Sequence, residues 1–368
     1  MRILALQLKR IGDLVLTTAA LRTLRTAWPE AHIGLGVSDG CASLLGAIDL
    51  IDSAIVFGRG RGWASWQQVL TGGWDVCLDF TGTDRSAVAT FLSRAPDRRT
   101  FAWVRRRKLR SLAYHEFVES SVRDRHTTDH YVDLPAALVA SREGGLDFRS
   151  GAPAGRIEHP PYGSAELKIP ETTRAAVSEL LQAKGITRPF ALLHPGTARL
   201  EKFWLTERWV EFATDLRLRH GLDLVLTGGT DPLELKQLSE LEAVRGTHAR
   251  SLSPDRLPVA AEGAVVNLAG KTDLLTLAAL VERAALVVSC DTAVVHLAAA
   301  FRRPQVALFG PTNPFHWRPR HDRAVVISAS QPERPMTSFQ PRMTGAPMDR
   351  ISTEVVIRAT EGLLADQS

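Results

Sequence analysis

Leu286-Val287-Val288-Ser289-Cys290-Asp291-Thr292-Ala293-Val294-Val295-His296 decides the fold of this chain. An apolar run of strand length stops at a few small polar residues, and a helical pattern running to Phe301 begins at once. A buried strand feeding straight into a helix is half of a βαβ unit. The start of the chain has the same plan. Ile3 to Leu8 reads as a buried strand, Arg10-Ile11-Gly12-Asp13 as the turn, and Leu14 to Ala27 as a helix stopped by Trp28-Pro29.

Working outward, Ala31 to Val37, Ile55 to Phe57 and Val76 to Phe80 read as further strands of the first half. In the second half the strands are Phe190 to His194, Leu222 to Thr227, Val265 to Leu268, Leu286 to Ser289 and Val306 to Phe309, the last clear one. Helices run from about Glu207 to His220 and Leu274 to Arg283. Strands alternating with helices imply parallel sheets covered on both faces. Gly, Pro and charged residues dominate Gly144 to Pro170, as in an interdomain linker. Ser328 to Arg350 reads as a long loop and Ile351 to Leu364 as a terminal helix. The expected architecture is α/β, two Rossmann-like domains facing a central cleft that holds the site. Domain bounds fall at residues 1–165, 166–340 and a terminal segment 341–368.

The bulk composition sets limits on partners and chemistry. At 368 residues, 45% hydrophobic and 23% charged, the chain suits two soluble domains. A net charge of +5 favours an anionic partner: nucleic acid, a phospholipid surface or a phosphorylated substrate. Its three cysteines, Cys41, Cys77 and Cys290, are widely spaced, which argues against a disulfide framework or zinc site and fits a reducing cytosol. The opening apolar stretch is cut by Lys9, Arg10 and Asp13, so it is no signal peptide, and no stretch has membrane-span character. Any membrane contact should be peripheral.

Several loops could carry chemistry. Asp13 could cap its helix, or could project from a strand's C-terminal end as a general base, and the two are compatible. His194-Pro195-Gly196-Thr197 closes a strand, with Lys202, Trp204 and Trp209 soon after. That is either a turn with an amphipathic helix or an anion loop whose lysine reaches a phosphate. In Gly228-Gly229-Thr230-Asp231 the acid could cap a helix or hold ribose hydroxyls. Thr292 at a helix start would aim free amides and the helix dipole at a phosphate, with His296 one turn on. A departing nucleoside diphosphate gains charge, so such donors would stabilise it. Asn267-Leu268-Ala269-Gly270-Lys271-Thr272 ends like a P-loop, but Val265 occupies the first glycine position. It reads as a strand-to-helix loop that could touch a nucleotide base.

Arg94 to Arg110 gathers Arg98, Arg99, Arg105, Arg106, Arg107, Lys108 and Arg110 around Phe101 and Trp103. Such runs are solvated faces or loops, nucleic-acid contacts, or contacts to an anionic membrane surface.

Together these segments resemble the glycosyltransferase family 9 heptosyltransferases. The resemblance spans Met1 to about Pro319, strongest at Arg10 to Asp13, His194 to Trp209 and Asp291 to Pro314, with a fainter trace from Met348 to Leu364. It implies a GT-B fold, with the acceptor mainly on the first domain, the donor on the second, and a C-terminal helix crossing back to the first. It implies metal-independent, inverting transfer of heptose from ADP-L-glycero-β-D-manno-heptose to a lipopolysaccharide inner core, with no cofactor, at the cytoplasmic face of the inner membrane.

By this resemblance Asp13 is the general base and Lys202 balances the donor's phosphates. Gly12, Thr197, Thr230, Asp231, Gly270, Asp291, Thr292, Ala293 and His296 line the donor. Arg98, Arg105, Arg106, Arg107, Lys108 and His130 are contacts for an anionic, lipid-linked acceptor. The family usually has glycine where this chain has Ala293, whose Cβ would stand beside the phosphate path. The alternatives are another nucleotide sugar, a protein or different glycan acceptor, a nucleotide- or glycan-binding homologue without turnover, and a nucleic-acid binder.

Overall fold

The computed structural model describes residues 1–58, 63–142, 165–246 and 263–365. The chain divides into two compact units, Met1–Lys168 and Ile169–Ser368. Residues 144–164 of the expected linker lie outside the described residues.

The first unit runs β1 (Arg2–Gln7), α1 (Ile11–Ala27), β2 (His32–Ser38), β3 (Ser53–Phe57), α2 (Ala64–Thr71), β4 (Val76–Asp79), α3 (Asp84–Leu92), β5 (Asp97–Phe101), α4 (Lys108–Ser111), β6 (Glu116–Val118) and α5 (Thr127–Arg142). Its strands form one parallel sheet in the order β3-β2-β1-β4-β5-β6. Central β1 is apolar without alternation, and Ile3, Leu4, Ala5 and Leu6 are fully buried, as a strand covered on both faces must be. Helix α1 stops where Pro29 removes a backbone donor, and Arg25 in its last turn bonds the Pro29 and Ala31 carbonyls. Helix α5 packs along α1.

The second unit runs α6 (Glu171–Ala183), β7 (Phe190–His194), α7 (Thr206–Arg219), β8 (Asp223–Leu226), α8 (Pro232–Glu242), β9 (Val265–Asn267), α9 (Leu274–Arg283), β10 (Leu286–Cys290), α10 (Ala293–Ala300), β11 (Gln305–Phe309), α11 (Pro314–Trp317), β12 (Ala324–Ser328) and α12 (Thr353–Ala365). Its parallel sheet is ordered β12-β11-β10-β7-β8-β9. Both sheets therefore have the doubly wound order, in which the winding reverses beside the first strand of each unit. The reversal lies between β1 and β4 in one unit and between β7 and β10 in the other.

Two expectations change. The basic run is not simply a loop, because Asp97–Phe101 is strand β5, paired on both sides. Its arginines are bound at the sheet's margins. Arg99 pairs with Asp97 at 2.8 Å and reaches the Ala137 carbonyl and Ser141, while Arg98 donates to the Ala113 carbonyl at 2.8 Å. Val306 to Phe309 is not the last strand, because Ala324–Ser328 pairs beside it as β12. The terminal helix buries Val355, Val356, Ile357 and Leu363 in the core of the second unit, against α7 and β11.

Candidate functional site

In a doubly wound sheet the carboxyl ends of the strands at the reversal open a crevice for ligands. The turn after β1, Arg10 to Asp13, lies at that point. Arg10 is the N-cap of α1 and makes no side-chain capping bond, and Gly12 and Asp13 are already helical. Asp13 is therefore not the cap. It sits in the first turn, where a carboxylate complements the helix dipole. It is 8% exposed, and the hydroxyl of Tyr131 on α5 donates to its Oδ1. Burial, and then the charge of Asp13, push the Tyr131 phenol well above its usual value, so it stays a donor. Gln7 donates to Thr17 Oγ1 at 2.8 Å and Thr17 donates to the Asp13 carbonyl at 2.8 Å, which holds the turn from below.

Asp79 ends β4 across the same reversal. It is fully buried and accepts from the Thr81 amide at 2.7 Å, the Gly82 amide at 3.1 Å and the Tyr114 hydroxyl at 2.5 Å. Burial raises its pKa, and no cation stands among these partners. Sequence reasoning missed both tyrosines. They lie in segments without turn chemistry, and only packing brings them to the acids.

Farther along the sheet, Ala102 and Trp103, Arg105 and Arg106, and residues 119–125 line an open cavity of about 920 Å³. Arg105, Arg106, Arg123 and Arg125 share its lining with Glu119 and Asp124. Asp133 pairs with Arg125 at 2.9 Å. Arg105 lies over the Phe117 ring at 4.9 Å. Arg107 and Lys108 are exposed. The other two expected acceptor contacts belong to the framework of the fold. Arg98 is tied to Ala113 and His115. His130 is 2% exposed, stacks on Phe101 at 3.8 Å and shares a 2.8 Å hydrogen bond with Ser120. Burial, and after it Lys9 and Arg125, pull the His130 pKa down to about 3.

In the second unit the reversal brings together the loops after β7 and β10. Lys202 ends a short 3-10 turn, Leu200–Lys202, and its Nζ meets Asp291 Oδ2 at 2.6 Å. Both side chains are mostly buried. The turn is anchored from below by Trp204, which is 1% exposed, stands edge-on to Trp209 at 5.2 Å and donates to the Ile351 carbonyl at 2.8 Å. Thr292 caps α10 by accepting from the Val294 amide, and its hydroxyl meets Ser289 at 3.0 Å. Ala293 is the first helical residue and is not among the positive-φ positions, so the backbone does not require glycine there. His296 is 4% exposed, with its ring tilted 6.2 Å from Trp317. Thr197 accepts from the Arg199 amide in the loop after β7.

Asp231 caps α8 by accepting from the Leu233 amide at 3.0 Å, the capping alternative for that acid. The acid that lies against the glycine loops is Glu234, 7% exposed and overlooked in the sequence. A Cβ on Gly196 would stand 1.5 Å from Glu234 Oε1, and one on Gly228 would stand 2.4 Å from it. Burial raises the Glu234 pKa. Gly270, at φ +64°, turns the loop after β9 so that its amide reaches the Gly228 carbonyl at 3.0 Å beside Thr230. Lys271 folds back onto the Asn267 carbonyl at 3.0 Å, consistent with a strand-to-helix loop. His194 shares a 3.0 Å bond with Thr227, and burial lowers its pKa to about 4. Cys290 is fully buried, its thiol pushed up to about 12 by burial, so it is no nucleophile. Among the described residues no three His, Cys, Asp or Glu side chains group as a metal site.

The model of a family described as glycosyltransferase family 9 (heptosyltransferase) matches residues 63–346. Lipopolysaccharide heptosyltransferase 3 of Escherichia coli (strain K12) is 23% identical over 367 residues, covering 97% of this chain and 96% of that protein. Among solved structures, E. coli ADP-heptose lps heptosyltransferase II superimposes with a TM-score of 0.76 at 21% identity, covering 100% of this chain and 99% of that one. E. coli heptosyltransferase WaaC with ADP gives 0.65 at 21% identity, with coverage of 99% and 98%. At such identities the structures establish the fold, two parallel-sheet α/β units of GT-B type.

Proposed function

Since the chain belongs to glycosyltransferase family 9 and is a glycosyltransferase, we propose that it moves heptose from ADP-L-glycero-β-D-manno-heptose to the inner core of lipopolysaccharide by a single inverting displacement. Relatives named as lipopolysaccharide heptosyltransferases support the sugar and the acceptor class. The heptosyltransferase solved with ADP supports the nucleotide. The observation that carries the reading is the Lys202–Asp291 pair beside the Thr292 helix start, at the sheet reversal of the second unit.

The chemistry follows from these groups. Asp13 accepts the proton of an acceptor hydroxyl as that oxygen forms a bond to the anomeric carbon. The bond from that carbon to the β-phosphate oxygen breaks, and its electron pair leaves with ADP. Lys202 and the positive end of the α10 dipole meet the growing negative charge, so the transfer needs no metal. Asp291 holds the ammonium in place and offers an acceptor to the donor's hydroxyls. Thr197, Thr230, Gly270, Ala293 and His296 shape the donor pocket, and Glu234 is better placed than Asp231 to meet a ribose. The arginine-lined cavity of the first unit takes the anionic acceptor. The acceptor is lipid-borne, so the enzyme works at the cytoplasmic membrane surface as a peripheral protein.

Thermal unfolding with ADP, UDP, GDP or CDP tests the donor, because a ligand that binds only the folded state must stabilise it. ADP alone should raise Tm, and Lys202→Ala should abolish the rise. A shift with another nucleotide instead would overturn the donor assignment. Turnover of ADP-heptose then tests the sugar.

A further inference from the structure

The segment Ala102 to Leu112 presents two surfaces. Ala102, Trp103, Arg105 and Arg106 line the basic cavity. Beyond them Leu109, on the short helix α4, is 86% exposed, and Leu112, just after that helix, is 73% exposed. Isolated exposed leucines are ordinary, but these have neighbours. Phe91 on α3 is 59% exposed and Val88, one turn earlier, is 49% exposed. The helices are tied edge to edge. Arg110 pairs with Asp84 at the start of α3, and Ala87, Val104, Ala113 and Tyr114 form one buried cluster beneath. Arg98 lies over the Phe91 ring at 5.9 Å while donating to the Ala113 carbonyl, next to Leu112. These exposed apolar side chains thus sit on adjoining segments of one face. Residues 102–112 hold five cations, Arg105, Arg106, Arg107, Lys108 and Arg110, and no carboxylate. Asp84, at the start of α3, is paired with Arg110.

We propose that the α3–α4 face of the first unit docks on an anionic phospholipid bilayer, with Phe91, Leu109 and Leu112 entering the interface and the flanking cations resting on headgroups. Amphipathic surfaces of this composition bind by apolar burial combined with attraction to anionic lipid. Mixed charge complementarity of this kind distinguishes a bilayer from an apolar protein partner. The proposal deepens the acceptor assignment above and rests on it for one point. A cavity and a docking face that share one segment would let a membrane-anchored acceptor reach the arginines while its acyl chains stay in the bilayer.

The full chain carries its own reporter site, since all three native cysteines are buried. A Leu109→Cys protein can be labelled there with an environment-sensitive fluorophore. Its emission should rise and shift to the blue with vesicles of phosphatidylglycerol and phosphatidylethanolamine, but not with pure phosphatidylcholine. In sedimentation, a Phe91→Ser/Leu109→Ser/Leu112→Ser protein should lose at least tenfold in vesicle affinity. It should keep its ADP-induced thermal shift and its turnover of a deacylated, water-soluble acceptor. Those two readouts separate failure of docking from failure of the transferase assignment. Unchanged vesicle binding by the triple variant would overturn the proposal. So would a change of oligomeric state in that variant without a change in vesicle binding, which would make that face an interface between copies. A protein that ignores anionic vesicles would overturn it as well.

Discussion

Tyr131 donates its phenolic hydrogen to Oδ1 of Asp13, so the contact between α1 and α5 carries a hydrogen-bonded acid at the mouth of the first sheet. The two residues are 118 apart in sequence. The bond holds one oxygen of the carboxylate in place.

That arrangement separates proton transfer from folding. Asp13→Asn retains an acceptor for Tyr131, so the protein should fold, while kcat falls about 10²–10⁴-fold, the usual worth of a general base. Tyr131→Phe keeps the base but removes a buried bond to a charged group, and should cost about 1.5–3 kcal/mol of stability. Its kcat should fall less than that of Asp13→Asn. Urea unfolding and steady-state kinetics on both proteins check this. Full turnover in folded Asp13→Asn would remove the base assignment.

Glu234 occupies the space that a side chain at Gly196 would need. Gly196→Ala should therefore expel that carboxylate and destabilise the second unit by about 1–3 kcal/mol, as overpacking does. It should also raise KM for the donor. In a Glu234→Ala background the same change should cost clearly less, because the two sites share one volume. A double-mutant cycle by thermal unfolding reads the coupling. Additive effects would mean that the loop and α8 adjust independently.

Ala293 begins α10 in helical conformation, so restoring the family's glycine should bring no gain in backbone geometry. Ala293→Gly should lower stability by at most about 1 kcal/mol. Donor kcat/KM should stay within about tenfold, equivalent to 1.36 kcal/mol. A larger rise in kcat/KM would show that the alanine Cβ obstructs the donor.

His130 is held neutral, its pKa drawn down to about 3 by burial and then by nearby cations. An unfolded histidine titrates near 6.5, so between about pH 3 and 6.5 the unfolded state binds the extra proton. Stability therefore rises with pH across that window. The contribution is complete above about pH 6.5 and is lost as pH falls towards 3. His130→Gln should remove up to one proton from the slope, about 1.4 kcal/mol per pH unit. Urea midpoints between pH 4 and 7 measure it. An unchanged slope would mean that His130 titrates normally in the folded protein.

The sequence by itself determined much of the framework. Central strands such as Ile3 to Leu6 and Leu286 to Cys290 are buried on both faces, so they must be apolar throughout, and that pattern is visible in one dimension. Thr292 as a helix cap was legible for a local reason, since a cap and its amide are two residues apart. Tertiary structure decided what depends on distant partners. Strand β5 carries charge at Asp97, Arg98 and Arg99, and it is a strand because β4 and β6 pair with it on both sides while the carbonyls of Ala113 and of Ala137 on α5 bind its arginines. Asp13 meets Tyr131, and Glu234 rather than Asp231 faces the glycine loops, because helices pack on the sheet with one particular face inward. A side chain's local pattern records its own backbone. Its functional partner is chosen by packing, which a linear chain does not display.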